Sequence, residues 1–190
     1  LLLAALATLG LPGGRPAAAA VIRASLEASR AAGDRRYEVT AIFDGENGGA
    51  PQHYARLDLR GSDQYLVVAT LKQELPAYNW VGIYLLEGDE LVLGPFRGAP
   101  SPHVRIPLNR GICGAAASEQ QTIVVDDVNS DPRYLACSLE TKSEIVVPIM
   151  KDGVVYGEID IDSHTPAAFG EKDRVLLEEI AAALATKLSS

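Results

Sequence analysis

The sequence predicts an α+β domain in which an antiparallel sheet carries helices segregated to one face. Three observations predict it. Two segments, "WVGIYLLEGDELVLGPF" and "SEIVVPIMKDGVVYGEIDIDS", each hold two β-rich runs around a Gly/Asp pair and read as hairpins. The last of these runs alternates apolar and acidic residues. A closing segment, "GEKDRVLLEEIAAALATKL", is apolar at Val175, Leu176, Ile180, Ala183, Leu184 and Leu188, the spacing of an amphipathic helix.

The remaining elements follow in order. "LLLAALATLGLPGG" has the length of a signal-peptide core, but no basic region precedes it. A partial helix from a longer parent chain is the favoured reading. "AAAAVIRASLEASRAAG" reads as a helix ending at Gly33. "RYEVTAIFDGENGGAPQHYARLDLRG" reads as two short strands around a Gly- and Asn-rich turn. Residues 1–60 are therefore expected to be an extension of uncertain order, and residues 61–190 the domain. Ser62 is placed to cap a helix through "DQYLVVATLKQEL", which Pro76 ends. "HVRIPL" is extended, "RGICGAAASEQ" is a glycine turn entering a short helix, and "QTIVVDDV" is a strand. "NSDPRYLACSLETK" is a loop with a helical turn expected after Pro132.

Composition excludes several classes of function. A net charge of −8 argues against a nucleic-acid backbone or an anionic membrane as partner. Two cysteines do not make a disulfide scaffold. His53, His103 and His164 lie far apart, without zinc spacing. No hydrophobic run is long enough to span a membrane, and a cytoplasmic setting is expected.

Candidate chemistry begins on the last strand. In "YGEIDIDS", Ile159 and Ile161 share one face, and Glu158, Asp160 and Asp162 the other. Three like charges on one face need water, a cation or protonation. A solvated sheet face and a pocket for an ammonium group both fit this strand alone. Glu144 opens the partner strand and adds a fourth carboxylate. No metal is expected, because an all-carboxylate set without histidine is unusual.

The two cysteines, Cys113 and Cys137, both lie where loops lead into sheet elements. Cys113 sits near a helix N-terminus, where the dipole and Arg110 are expected to favour the thiolate. Either cysteine alone also fits a small buried hydrophobe. Trp80, Gly82 and Tyr84 share a strand face. The glycine is expected to leave room for a small or flat ligand, and an aromatic wall beside carboxylates suits a cation with a short apolar body. Simple core packing explains these aromatics equally well.

Several ordered motifs together resemble a known family. "NWVGIYLLEGDELVLGPFRG", "VRIPLNRGICGAAA", "VVDDVNSDPRYLACSLETKSEIVVPI" and "GEIDIDS" are similar to GAF domains of the free methionine-(R)-sulfoxide reductase type. The resemblance runs from about Trp80 to the closing helix. It implies a GAF-like α+β fold: an antiparallel sheet with helices on one face and a ligand pocket on the other. It implies reduction of free methionine-(R)-sulfoxide by cysteines, with thioredoxin or a similar thiol reductant as electron donor and no bound cofactor. Carried over, Cys137 falls on the nucleophile position and Cys113 on a second cysteine position. Glu144, Asp160 and Asp162 fall on acidic positions that hold the substrate, and Trp80 and Tyr84 on its aromatic wall.

The chain departs from that pattern twice. His103 stands where the family's reductases commonly place a third, resolving cysteine, with a one-residue insertion beside it. Glu158 occupies a position that is usually apolar. An intramolecular disulfide to Cys137 would therefore use Cys113. The competing expectation is a GAF module that senses a small amino-acid-like ligand without chemistry. A homodimer fits either expectation.

Overall fold

The structure is a computed structural model, and it describes residues 20–25, 37–43, 52–59, 64–136 and 138–189. The chain divides into two units, Leu1–Gly61 and Ser62–Ser190.

In the first unit, β1 (Ala20–Ser25), β2 (Tyr37–Phe43) and β3 (Gln52–Leu59) form an antiparallel sheet in that order. Ile22 pairs with Ala41, and Tyr37 with Leu59. This corrects the helix expected over residues 17–33, because its described part is a strand. Helix propensity is a weak prior, and here β1 pairs with β2 along its whole length. The rest of that segment lies outside the described residues, as do Ser62 and the Gly- and Asn-rich turn.

The second unit holds α1 (Gln64–Glu74), β4 (Trp80–Glu87), β5 (Glu90–Arg97), β6 (Arg105–Pro107), α2 (Gly111–Glu119), β7 (Ile123–Val125), β8 (Ser143–Lys151), β9 (Val154–Ser163) and α3 (Glu171–Leu188). Its sheet has six strands in the order β6-β5-β4-β9-β8-β7, with every neighbour antiparallel. The two hairpins form where the turn residues allow. Asp152 and Gly153 both adopt positive φ, as a two-residue turn matching strand twist requires. The helical turn of the long loop is a 3₁₀ turn at Val128–Ser130, before Pro132 rather than after it. Asp127 caps it by accepting the Asn129 N–H at 3.0 Å.

One sheet face is apolar except for the buried Ser143–Ser163 pair at its end. Val81, Ile83, Ile145, Val147, Ile149, Ile159 and Ile161 are buried. α1 packs on β4 and β5, and α3 on β8 and β9. α3 buries Leu176, Leu177, Ile180, Ala181, Leu184 and Ala185, so its core stripe is centred nearer Leu177 and Ala181 than Val175 and Ala183. Burying each such Leu or Ile contributes about 1.5–3 kcal/mol. The α3 N-terminus is fixed by Asp173, which accepts the Gly170 N–H at 2.9 Å and the Tyr78 hydroxyl at 2.8 Å.

α2 lies on the other face. Its Cys113, Ala116 and Ala117 pack in one cluster with Trp80, Tyr84, Val146 and Ile106. Gly114 permits this approach, since a Cβ there would stand 2.6 Å from the Pro107 carbonyl oxygen. No helix among the described residues is long and apolar enough to cross a membrane.

Candidate active site: four buried carboxylates under a thiol

Strand register assembles the site. Across β4, β9 and β8, Trp80 pairs with Asp162 and Asp162 with Glu144. One step along, Gly82 pairs with Asp160 and Asp160 with Val146. A further step aligns Tyr84, Glu158 and Pro148. Because side chains alternate, all of these residues belong to one sheet face. The alternation read from "YGEIDIDS" therefore places Glu158, Asp160 and Asp162 together, and the register adds Glu144.

The four carboxylates are not solvated. Glu144 is 5 % exposed, Glu158 0 %, and Asp160 and Asp162 2 % each. Among the described residues, no basic side chain forms an ion pair with any of them. Among the described residues, both carboxylate oxygens of Glu158 and Oδ1 of Asp160 make no hydrogen bond of ordinary geometry.

Ionising such a cluster is costly, so its protons are held tightly. Burial pushes Asp160 up to about 7. Burial first, and then Asp160, Asp162 and Glu158, raise Glu144 well above the usual carboxylate range. Glu158 is raised by burial and by Asp160, as is Asp162.

α2 lowers a thiol onto this set. Cys113 Sγ donates to Glu144 Oε1 at 3.9 Å. Sγ, a Glu144 oxygen and an Asp160 oxygen all lie within 4.8 Å of one another. The expected activation of Cys113 by its helix N-terminus is overturned. Burial first, then Asp160, Glu158 and Glu144, raise its pKa well above the ordinary thiol value. Arg110, at the N-cap, is exposed. Cys113 is thus a protonated thiol at neutral pH, unlike a thiolate at an electropositive site.

The aromatic wall forms, but it uses its space differently from the expectation. The Trp80 indole folds over Gly82, where a Cβ would stand 2.1 Å from Trp80 Cη2. The room expected above Gly82 is therefore filled by Trp80 itself. The indole stacks on Phe96, with centroids 5.8 Å apart, and lies 6.4 Å from Tyr84.

The polar ends of this wall hold a strap that sequence reasoning missed. Trp80 Nε1 donates to the Ala99 carbonyl at 2.9 Å, and the Tyr84 hydroxyl to the His103 carbonyl at 2.8 Å. Both acceptors are backbone atoms between β5 and β6, which carry no sequence signature.

Cys137 lies outside the described residues, but its flanks are fixed near the site. Leu135 packs on Gly111 at the start of α2. Ala136 O lies 3.2 Å from His103 Nε2. Ser138 O accepts from the Tyr134 hydroxyl at 3.3 Å. Arg133 ties this loop to Asp131 at 2.8 Å and to Glu119 of α2 at 3.8 Å. The loop ahead of Cys137 is therefore seated beside the helix that carries Cys113.

A six-stranded antiparallel sheet with α1 and α3 on one face, and a polar site roofed by α2 on the other, defines a GAF fold. The chain belongs to the GAF domain family, whose model matches residues 65–188. It is 39% identical over 122 residues to a free methionine-R-sulfoxide reductase of Escherichia coli (strain K12), a match spanning 64% of this chain and 73% of that protein. The solved type II free methionine-R-sulfoxide reductase from Thermoplasma acidophilum shares 42% identity and a TM-score of 0.65, covering 67% of this chain and 90% of that one. The free methionine-R-sulfoxide reductase from Neisseria meningitidis, solved in complex with its substrate, shares 41% identity and a TM-score of 0.64, covering 67% and 77%.

Proposed function

We propose that the GAF unit reduces free methionine-(R)-sulfoxide, with Cys137 as nucleophile and Cys113 as resolving thiol. The observation that carries this reading is the convergence of Glu144 and Asp160 on Cys113, beside a register row that ends at Trp80. The relatives named as reductases of that substrate support it.

The substrate's ammonium binds among Glu144, Asp160 and Asp162, which have no cationic partner of their own among the described residues. A peptide-bound methionine has no ammonium at that place, so the site selects the free amino acid. Trp80 and Tyr84 flank the short apolar chain. Asp160 carries a proton near neutrality and hands it to the sulfoxide oxygen. The Cys137 thiolate attacks the sulfinyl sulfur, the oxygen passes to the Cys137 sulfur as the methionine S–O bond breaks, and methionine leaves Cys137 as a sulfenic acid. The methionine sulfur gains the two electrons that the cysteine sulfur loses.

Cys113 then attacks the sulfenic sulfur and expels water, forming a disulfide. Its buried thiol must first lose a proton; the substrate ammonium favours the ionised form of Glu144, whose Oε1 stands 3.9 Å away to accept it. Thioredoxin or a similar dithiol opens the disulfide by exchange.

The test is a coupled assay with the substrate, thioredoxin, thioredoxin reductase and NADPH. Consumption of NADPH by the full chain, abolished in Cys137→Ser, is expected. In Cys113→Ser, a single equivalent of methionine without turnover is expected. Ligand binding without NADPH consumption would overturn the reading and leave a ligand-sensing module.

A further inference from the structure

The site contains one carboxylate more than recognition of an ammonium group requires. Glu144 and Asp162 pair on adjacent strands, and Asp160 lies one step along. Glu158 stands a further step along, at the row of Tyr84 and Pro148. It is fully buried, neither of its oxygens makes a hydrogen bond of ordinary geometry among the described residues, and the Cys113 thiol and Asp160 are the groups that act on it. An ionised carboxylate in that state keeps its full desolvation cost, so the group either stays protonated or ionises against a positive charge.

Separately, Cys113, Glu144 and Asp160 offer one sulfur and two oxygens within 4.8 Å of one another, all buried. The Sγ to Oε1 distance of 3.9 Å is slightly wider than the sulfur–oxygen edge of a tetrahedral zinc centre, about 3.5 Å from ordinary bond lengths. An all-carboxylate set gave no reason to expect a metal. α2 changes the chemistry by adding a sulfur donor. From these two observations we infer that Cys113, Glu144 and Asp160, with Glu158 beside them, form a binding site for a divalent cation of the zinc class.

The donor set selects the cation. A thiolate among carboxylates favours a borderline or soft ion over magnesium or calcium, which take oxygen donors alone. Three protein donors, with a fourth position left for Glu158 or water, suit tetrahedral zinc or its larger analogue cadmium. The thiol proton leaves to solvent as the metal–sulfur bond forms. The bound cation occupies the carboxylates that would receive an ammonium and blocks the Cys113 sulfur. Metal binding and thiol chemistry are then mutually exclusive states of one site. The inference does not rest on the reductase reading, and its test needs no turnover.

The probe is cadmium, titrated into the reduced full chain carrying Cys137→Ser, and the readout is the ultraviolet thiolate-to-cadmium charge-transfer band. One equivalent of cadmium saturating the band is expected. Adding Cys113→Ser abolishes it. Adding Glu158→Gln raises the Kd at least about tenfold, the loss that even outer-sphere partners produce. Magnesium at excess leaves the titration unchanged. Thermal unfolding of each metal-free variant shows that it folds, and Glu158→Val replaces Glu158→Gln if the amide does not fold. Absence of the band in the Cys137→Ser chain, its survival in Cys113→Ser, or an unchanged Kd in the Glu158 variant would overturn the inference.

Discussion

The Cys113 thiol and the Glu144 carboxyl group meet at 3.9 Å in a buried site, one from α2 and the other from β8. Both hold their protons more tightly than usual: burial raises each of them first, and Glu144 is among the charges that raise Cys113. If Glu144 takes the Cys113 proton during disulfide formation, Glu144→Gln removes the acceptor. Formation of the disulfide from the sulfenic acid is then expected to slow by about 100-fold or more. Stopped reactions analysed by mass spectrometry measure it. An unchanged rate would exclude Glu144 as the base.

Stability is expected to fall as pH rises across neutrality. Asp160 moves from its ordinary 3.8 to about 7 on folding, so between these values the folded state binds more protons than the unfolded chain. Its contribution is fully present below about pH 4 and is lost as pH rises through 7. Glu144, Glu158 and Asp162 are shifted in the same direction, so they act in the same sense. At the acid end, Asp127 is held down by hydrogen bonds from Ser130 and Asn129, and Asp131 by Arg133, and protonating them reverses the trend. Thermal unfolding should therefore give a Tm maximum on the weakly acidic side and a decline of several degrees by pH 8. Glu158→Val should raise Tm at pH 8 and flatten the decline. A Tm that rises from pH 5 to 8 would contradict the cluster's protonated state.

The Trp80 indole over Gly82 makes a further prediction. Gly82→Ala places a Cβ inside the ring's volume and forces the indole off Phe96. A loss of about 1–3 kcal/mol is expected from such overpacking. Trp80 is the chain's one tryptophan, so its fluorescence reports the displacement without ambiguity. Unchanged emission and unchanged stability would show that the ring does not rest there.

Which of these features could be read from sequence depended on their physical origin. The carboxylate face was legible because strand alternation is a local, two-residue rule, and residues 157–163 obey it without a break. Both hairpins were legible from their turn pairs. The Ala20–Ser25 strand was not, because its alanines favour helix locally and its pairing with Tyr37–Phe43 is a non-local fact. The protonated state of Cys113 was also hidden. A helix N-terminus alone lowers a thiol pKa, but here burial against carboxylates wins. That outcome depends on α2 seating on the sheet through Gly114, a contact with the Pro107 backbone. The filled space over Gly82 was hidden for a similar reason, since it is set by the Trp80 rotamer.

In the proposed reaction the Cys137 and Cys113 thiols together supply the two electrons of one reduction. A single-turnover reaction tests it most directly. The fully reduced chain is mixed with excess free methionine-(R)-sulfoxide and no reductant, and then quenched, digested and mapped. One equivalent of methionine, loss of both thiols and a Cys113–Cys137 disulfide peptide are expected. Absence of methionine, or methionine formed while Cys113 remains a thiol, would contradict it.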